Sequence, residues 1–192
     1  MKHQLVFATN NLHKLEEVQS KVGDSFTIIS LAEIGCQEDI AETGLTLEEN
    51  ASIKSQFVFQ NYHTDCFADD TGLEIEALNN EPGVFSARYA GSRDFEKNID
   101  LVLEKLSGLE NRNARFRTVV SLILDGKEHH FEGIVNGKIR NERSGIEGFG
   151  YDPIFEPIGY HITFAEMDLS EKNKISHRGL AVAKLIEFLK SI

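Results

Sequence analysis

Several things are scarce in this chain of 192 residues. It has two cysteines, Cys36 and Cys66, with neither metal-ligand nor redox spacing. That excludes a disulfide framework or a zinc cluster and leaves two reduced structural thiols. It has three prolines, Pro82, Pro153 and Pro157, and no repeat, low-complexity tract or Pro/Ser-rich run, so nothing marks a linker. No apolar run approaches the length needed to cross a bilayer. The opening stretch, MKHQLVFATNN, has no long hydrophobic region and no small-residue cleavage site, so no secretion signal is read and the cytoplasm is expected. Positive charge is also short: 20 Lys and Arg face 31 Asp and Glu, a net charge of −11. An acidic surface without a basic stripe repels a nucleic-acid polymer. It does not exclude a small phosphorylated ligand, which needs only a few local cations and a metal held by carboxylates.

What is present suffices for a core. With 41% hydrophobic and 27% charged residues, residues 1–192 read as a single globular domain, with room for two lobes and no need of staples. Residues 4–9 and 26–30 read as strands. Between them Leu12, Leu15, Val18 and Val22 share one helical face, with Asn10 or Asn11 as cap. Thr46 and Glu49 have capping-box spacing ahead of a helix through about Asn61. CFAD, 66–69, is a strand that turns at Thr71-Gly72, and LEIEAL, 73–78, alternates like a second strand. Residues 94–106 suit a helix with Ile99, Val102, Leu103 and Leu106 inward and Gly108 as its stop. Strand 114–124 turns at Asp125-Gly126 into 128–135, with His129 and His130 at the surface. A closing helix, about 176–190, puts Ala183, Ile186 and Leu189 inward. Helices alternate with strands early and hairpins come later, which predicts an α/β fold with a mixed sheet.

Five stretches carry groups capable of chemistry. In FATNNLHK a strand ends at Thr9 and a helix opens; its N–H groups make an anion site to which Lys14 adds charge, unless Lys14 is simply solvated. The stretch lacks the glycines and the GK[ST] of a P-loop. In AETGLTLEENASIK, Glu42 falls on a loop, Glu49 is consumed by the capping box, and Lys54 either reaches solvent or enters a cleft. Asp69 and Asp70 are adjacent acids. Strand alternation lets them face opposite ways, one into a cleft and one to turn donors; the pair is either an Asp-rich turn without chemistry or a Mg²⁺ site whose ion offsets their repulsion. In GIEGFGYDPIF, a glycine-rich loop beside Phe149 and Tyr151 suits a flat heteroaromatic base, or else simple packing under a tight loop. In AEMDLSEKNKISHRGLA, Ser176 can cap the last helix, and His177 and Arg178 in its first turn oppose the helix dipole, a conflict that marks a functional site. Lys172 and Arg178 can hold a phosphate or a base carbonyl.

Taken in order, ATNNLHK, ETGLTLEENASIK, ADDTGLEIEALNNEPGVFSARYAG, GFGYDPIF and AEMDLSEKNKISHRG resemble the inosine/xanthosine triphosphate pyrophosphatase family over nearly the whole chain. The resemblance implies an elongated α/β structure in which a central mixed sheet and two lobes flank a cleft, assembled as a homodimer. It implies Mg²⁺-dependent hydrolysis of ITP, dITP and XTP to the monophosphate and pyrophosphate, which cleanses the nucleotide pool. Carried onto this chain, Thr9, Asn10, Asn11, Leu12, His13 and Lys14 form the phosphate turn. Glu42 and Asp70 hold the metal, Asp70 is the general base, Thr71 touches substrate, and Lys54 sits on the phosphate side. Phe149, Gly150, Tyr151 and Asp152 form the base-binding loop, and Lys172, His177 and Arg178 complete the nucleotide contacts. One departure is Asn10, where many members have Gly; Asn tolerates a left-handed turn better than most residues.

Overall fold

Alternation along the strands decides which face of the sheet each helix covers. The computed structural model describes residues 3–22 and 26–191. Seven strands form one mixed sheet: β1 (His3–Phe7), β2 (Phe26–Ser30), β3 (Cys66–Ile75), β4 (Glu81–Gly83), β5 (Asn113–Leu124), β6 (Lys127–Ile139) and β7 (Phe155–Pro157). Their order is β2-β1-β3-β5-β6-β7, with β4 paired to β3. β1 runs parallel to β2, Leu5 opposite Ile28, and parallel to β3, Phe7 opposite Phe67. β4 and β7 are antiparallel to their neighbours. The helices are α1 (Leu12–Val22), α2 (Leu47–Tyr62), α3 (Phe95–Lys105), α4 (Leu169–Ile175) and α5 (His177–Ser191). Among the described residues no helix is long and apolar enough to cross a membrane.

The chain divides into two compact units, one of Met1–Asp70, Thr118–Gly133 and Arg178–Ile192, the other of Thr71–Arg117 and Ile134–His177. In the first, Leu5, Phe7, Phe67, Val120 and Leu122 face α1 and α5, meeting Val18, Val22, Ala181, Val182, Leu185 and Ile186. Val6, Ala8, Cys66, Ala68 and Ile123 alternate with them and pack with Val58 of α2, Leu31 and Cys36. Phe7 and Phe67 stack at 4.4 Å between ring centroids. In the second unit, Leu73, Ile75, Phe116, Ile139 and Phe155 gather with Ile99 and Val102 of α3 and with Leu106, which caps it.

Several expectations hold. Thr46 and Glu49 form a reciprocal capping box at the start of α2. The turn between β5 and β6 has Asp125 at φ 49° and Gly126 at φ 74°, the two left-handed residues that a two-residue hairpin requires. Ile99 and Val102 of α3 and its C-cap Leu106 are buried, and Leu103 packs against them. Others need correction. There is no turn at Thr71-Gly72: β3 runs unbroken through ten residues. Gly72 is there because β4 comes so close that a Cβ would lie 2.7 Å from the Gly83 carbonyl oxygen. Glu76–Leu78 is a single 3-10 turn rather than strand. α4 was not expected. The buried face of α5 is Ala181, Val182, Leu185 and Ile186, with Ala183 and Leu189 only half-buried. His129 is likewise half-buried, its ring 4.5 Å from Phe188, while His130 is exposed.

Candidate active site

The parity that sorts the first unit's core also sorts its charges. Phe67 belongs to the α1/α5 face and Ala68 to the α2 face. Two residues on, Asp69 and Asp70 inherit those faces. Asp69 accepts from Lys14 of α1 at 2.8 Å through one oxygen and from the Arg178 Nε of α5 at 2.9 Å through the other. Asp70 accepts from the Asn50 amide of α2 at 3.0 Å, and one of its oxygens lies 3.7 Å from the Lys54 ammonium. The two adjacent acids therefore tolerate each other because each has its own cation on its own side of the sheet. The turn expected to supply donors to one of them is not formed, because β3 continues through Thr71-Gly72.

Burial disfavours both carboxylates, with different outcomes. At Asp69, Lys14 and Arg178 outweigh desolvation and hold the carboxyl well below its ordinary range. At Asp70 desolvation wins, aided by repulsion from Glu42, and the carboxyl is pushed up despite Lys54. Lys54 is itself buried, yet Asp70 and Glu42 outweigh that cost and raise its affinity for the proton. Its ammonium lies 2.5 Å from Glu42, on the loop before α2. Lys54 thus enters the acidic cluster rather than solvent.

Asn50 went unnoticed in the sequence. It is 1% exposed, gives its amide N–H to Asp70, and its oxygen accepts the Gly44 N–H at 2.8 Å. It ties the loop carrying Glu42 to the acid on β3. The usable signal was its place among Leu47, Ala51, Lys54 and Val58, the spacing of a buried helix face.

At the first turn Asn11 is the cap: its side-chain oxygen accepts the N–H of His13 and Lys14. Its own N–H donates to Thr9 Oγ1 at 3.1 Å. Asn10, Leu12 and His13 are exposed. Among the described residues, positive φ outside glycine is confined to His63, Asn79, Asn80 and Asp125, so the turn does not use a left-handed Asn10.

The second unit holds the other set. Asp152, at the end of the glycine-rich loop, accepts from Lys172 of α4 at 2.9 Å and from the Phe149 N–H at 2.8 Å on the same oxygen. The Lys172 ammonium lies 5.3 Å from the Phe149 ring centre. The loop is anchored further back, where the Ala165 carbonyl accepts the N–H of Ile146 and Glu147. Tyr151 is buried, and its hydroxyl donates to the Ser86 carbonyl at 2.8 Å. His177 is buried and stacks on Phe116 at 4.5 Å. Thr71 is half-buried on β3.

A Cβ on Gly148, at φ 79°, would fall 2.2 Å from the Asp152 carboxylate, whereas one on Gly150, at φ 63°, meets nothing within 4 Å. Gly148→Ala should therefore dislodge Asp152 and cost at least about 2 kcal/mol of stability, and Gly150→Ala only about 1 kcal/mol, the left-handed penalty. Chemical denaturation of both variants decides; equal losses would disprove the close approach.

Glu42 and Asp70 are the groups able to hold a metal. Both offer hard oxygen donors around one ammonium, and one or two carboxylates completed by substrate phosphates is the usual donor set for Mg²⁺. Among the described residues no group of three or more His, Cys, Asp or Glu forms a self-sufficient metal cage.

Known proteins resemble this chain along nearly its whole length. A dITP/XTP pyrophosphatase from Flavobacterium psychrophilum is 54% identical over 189 residues, covering 98% of this chain and 100% of the relative. One from Christiangramia forsetii is 52% identical over 187 residues, covering 97% and 98%. The structure of a HAM1 protein from Coxiella burnetii superposes with a TM-score of 0.91 at 39% identity, covering 99% of this chain and all of that one. The Ham1 family profile matches residues 5–188, and the chain belongs to that family.

Proposed function

We propose that this protein hydrolyses non-canonical purine nucleoside triphosphates, dITP, XTP and ITP, to the monophosphate and pyrophosphate. The observation that carries the reading is the cluster of buried Asp70 and Lys54 with half-buried Glu42 on the first unit: an acid whose proton affinity is raised, beside a cation able to meet phosphate. The names of relatives more than half identical over nearly full length point the same way.

Water attacks the α-phosphorus, Asp70 takes its proton, and the bond to the β-phosphate oxygen breaks to release pyrophosphate. A base with proton affinity above that of an ordinary carboxylate suits this task. Lys14 and Lys54 neutralise phosphate charge, assisted by the N–H groups opening α1. Magnesium, once bound by Glu42 and Asp70, would polarise the phosphoryl group and screen the chain of phosphates. The Phe149 loop takes the base, with Lys172, Asp152, His177 and Arg178 serving its recognition. A donor aimed at a purine 6-carbonyl is left badly paired by the 6-amine of adenine, which a site built on hydrogen bonds rejects strongly. A homodimer, action in the cytoplasm and indifference to nucleic-acid polymers belong to the same proposal.

The test is pyrophosphate release from dITP, XTP, ITP, GTP, ATP and pyrimidine triphosphates, with and without Mg²⁺. Fast release from the first three, at least about a hundredfold above ATP and only with the metal, is expected. A pyrimidine triphosphate as best substrate would redirect the reading to another altered base. Tight binding without turnover would make the protein a nucleotide sensor.

A further inference from the structure

Phe95 is an apolar ring left 41% exposed at the first position of α3, just after the capping Asp94. Its ring lies 6.3 Å from that of Phe149, inclined at 48°, within the range where aromatic edges and faces attract. Phe95 and the Lys172 ammonium are thus both neighbours of the Phe149 ring in this unit. Its backbone is held by Asp152 and its loop by Ala165. The loop is also tied to α3 independently of either ring. Arg143, at its start, donates to the Glu96 carbonyl at 3.2 Å and to Asp100 at 2.7 Å.

We propose that Phe95 is a positioning residue that fixes the tilt of the Phe149 ring, so that Phe149 presents one ready-made face to the flat base of the substrate. The inference deepens the functional reading above and rests on it. A phenylalanine on a glycine-flanked loop has two free side-chain torsions, and an unsupported ring must be ordered when the base arrives. A neighbouring ring removes that cost beforehand, so its loss falls on binding rather than on the chemical step. Because the Arg143 ties persist, truncating Phe95 removes the aromatic contact at 6.3 Å without freeing the loop.

The experiment measures dITP hydrolysis by Phe95→Ala, Phe95→Leu, Phe95→Tyr and Phe149→Ala, together with inhibition by tripolyphosphate, a ligand with phosphates and no base. Phe95→Ala and Phe95→Leu should raise KM about threefold to tenfold with kcat within about twofold, the scale of one aromatic pair. Phe95→Tyr should restore KM, its hydroxyl reaching water. The tripolyphosphate inhibition constant should not move. An unchanged KM in Phe95→Ala alongside a raised KM in Phe149→Ala would overturn the positioning role alone. A parallel rise in the tripolyphosphate constant would overturn it too, as general loosening. An unchanged KM in Phe149→Ala would remove the stacking face itself, and the base-binding reading with it.

Discussion

Asp70→Asn should lower kcat by about 10²–10⁴-fold while the protein melts near its original temperature. The amide keeps the shape of the side chain and can still accept the Asn50 N–H that meets Asp70 at 3.0 Å. It cannot take a proton from water, and it offers a metal a much weaker oxygen. It also removes the charge that faces Lys54 at 3.7 Å, but Glu42 remains on that ammonium at 2.5 Å, so no buried cation is stranded. Single-turnover pyrophosphate release gives the rate, and a circular-dichroism melt gives the fold. Burial pushes the carboxyl of metal-free Asp70 up, and a bound magnesium ion would oppose that shift. A near-normal rate in Asp70→Asn would strike Asp70 from both the base and the metal set.

Asp69→Asn should behave in the opposite manner, destabilising the fold by about 3–5 kcal/mol. Its two oxygens hold Lys14 and Arg178, and the Asp69 and Arg178 side chains are 2% and 3% exposed. Neutralising the acid leaves one fully buried guanidinium and one nearly buried ammonium near each other without the charge that Asp69 supplies. Desolvation then goes uncompensated, which is why breaking such a cluster costs far more than its formation gains. The melting temperature should fall by roughly 10 °C for a chain of this length. The pH dependence has a definite sign. The folded Asp69 carboxyl is held below its unfolded value. Its contribution is therefore complete above about pH 4 and fades as pH falls further toward the folded value. The gap between wild type and Asp69→Asn should narrow under strong acid and stay constant from pH 5 to 8. A loss under about 1 kcal/mol at neutral pH would show that Asp69 does not neutralise these cations.

Local rules carried the reading wherever local chemistry decides the structure. The Thr46–Glu49 box and the Asp125-Gly126 turn each depend on a few adjacent residues, and both stand as expected. The resemblance likewise assembled the candidate residues before any distance was known, and strand parity alone separated Asp69 from Asp70. What failed depends on remote partners. Thr71-Gly72 reads as a turn until β4 is seen lying against it, with Gly83 opposite Leu73. α4 is seven residues long, too short to display a period, and is held by Lys172 on Asp152 and by its backbone bonds. The partners of Asp69 lie 55 and 109 residues away, so the sequence could name a counter-ion but not choose between a metal and two side chains. Asn50 escaped because a polar residue at a helical core position looks like noise until its two partners are known.

Connectivity has a consequence for how the molecule is made. β5 and β6, twelve and thirteen residues long, are joined by two residues, while pairing β1 with β3 encloses all of α1, β2 and α2. Ring closure costs less entropy when the ring is small, so that hairpin assembles ahead of the rest and seeds the order in which strands join it. The Lys14–Asp69–Arg178 triangle unites segments from both ends of the polypeptide and, by the same reasoning, is expected to close late. Damage at Asp125-Gly126 thus slows refolding, whereas damage to the triangle shortens the lifetime of the native state.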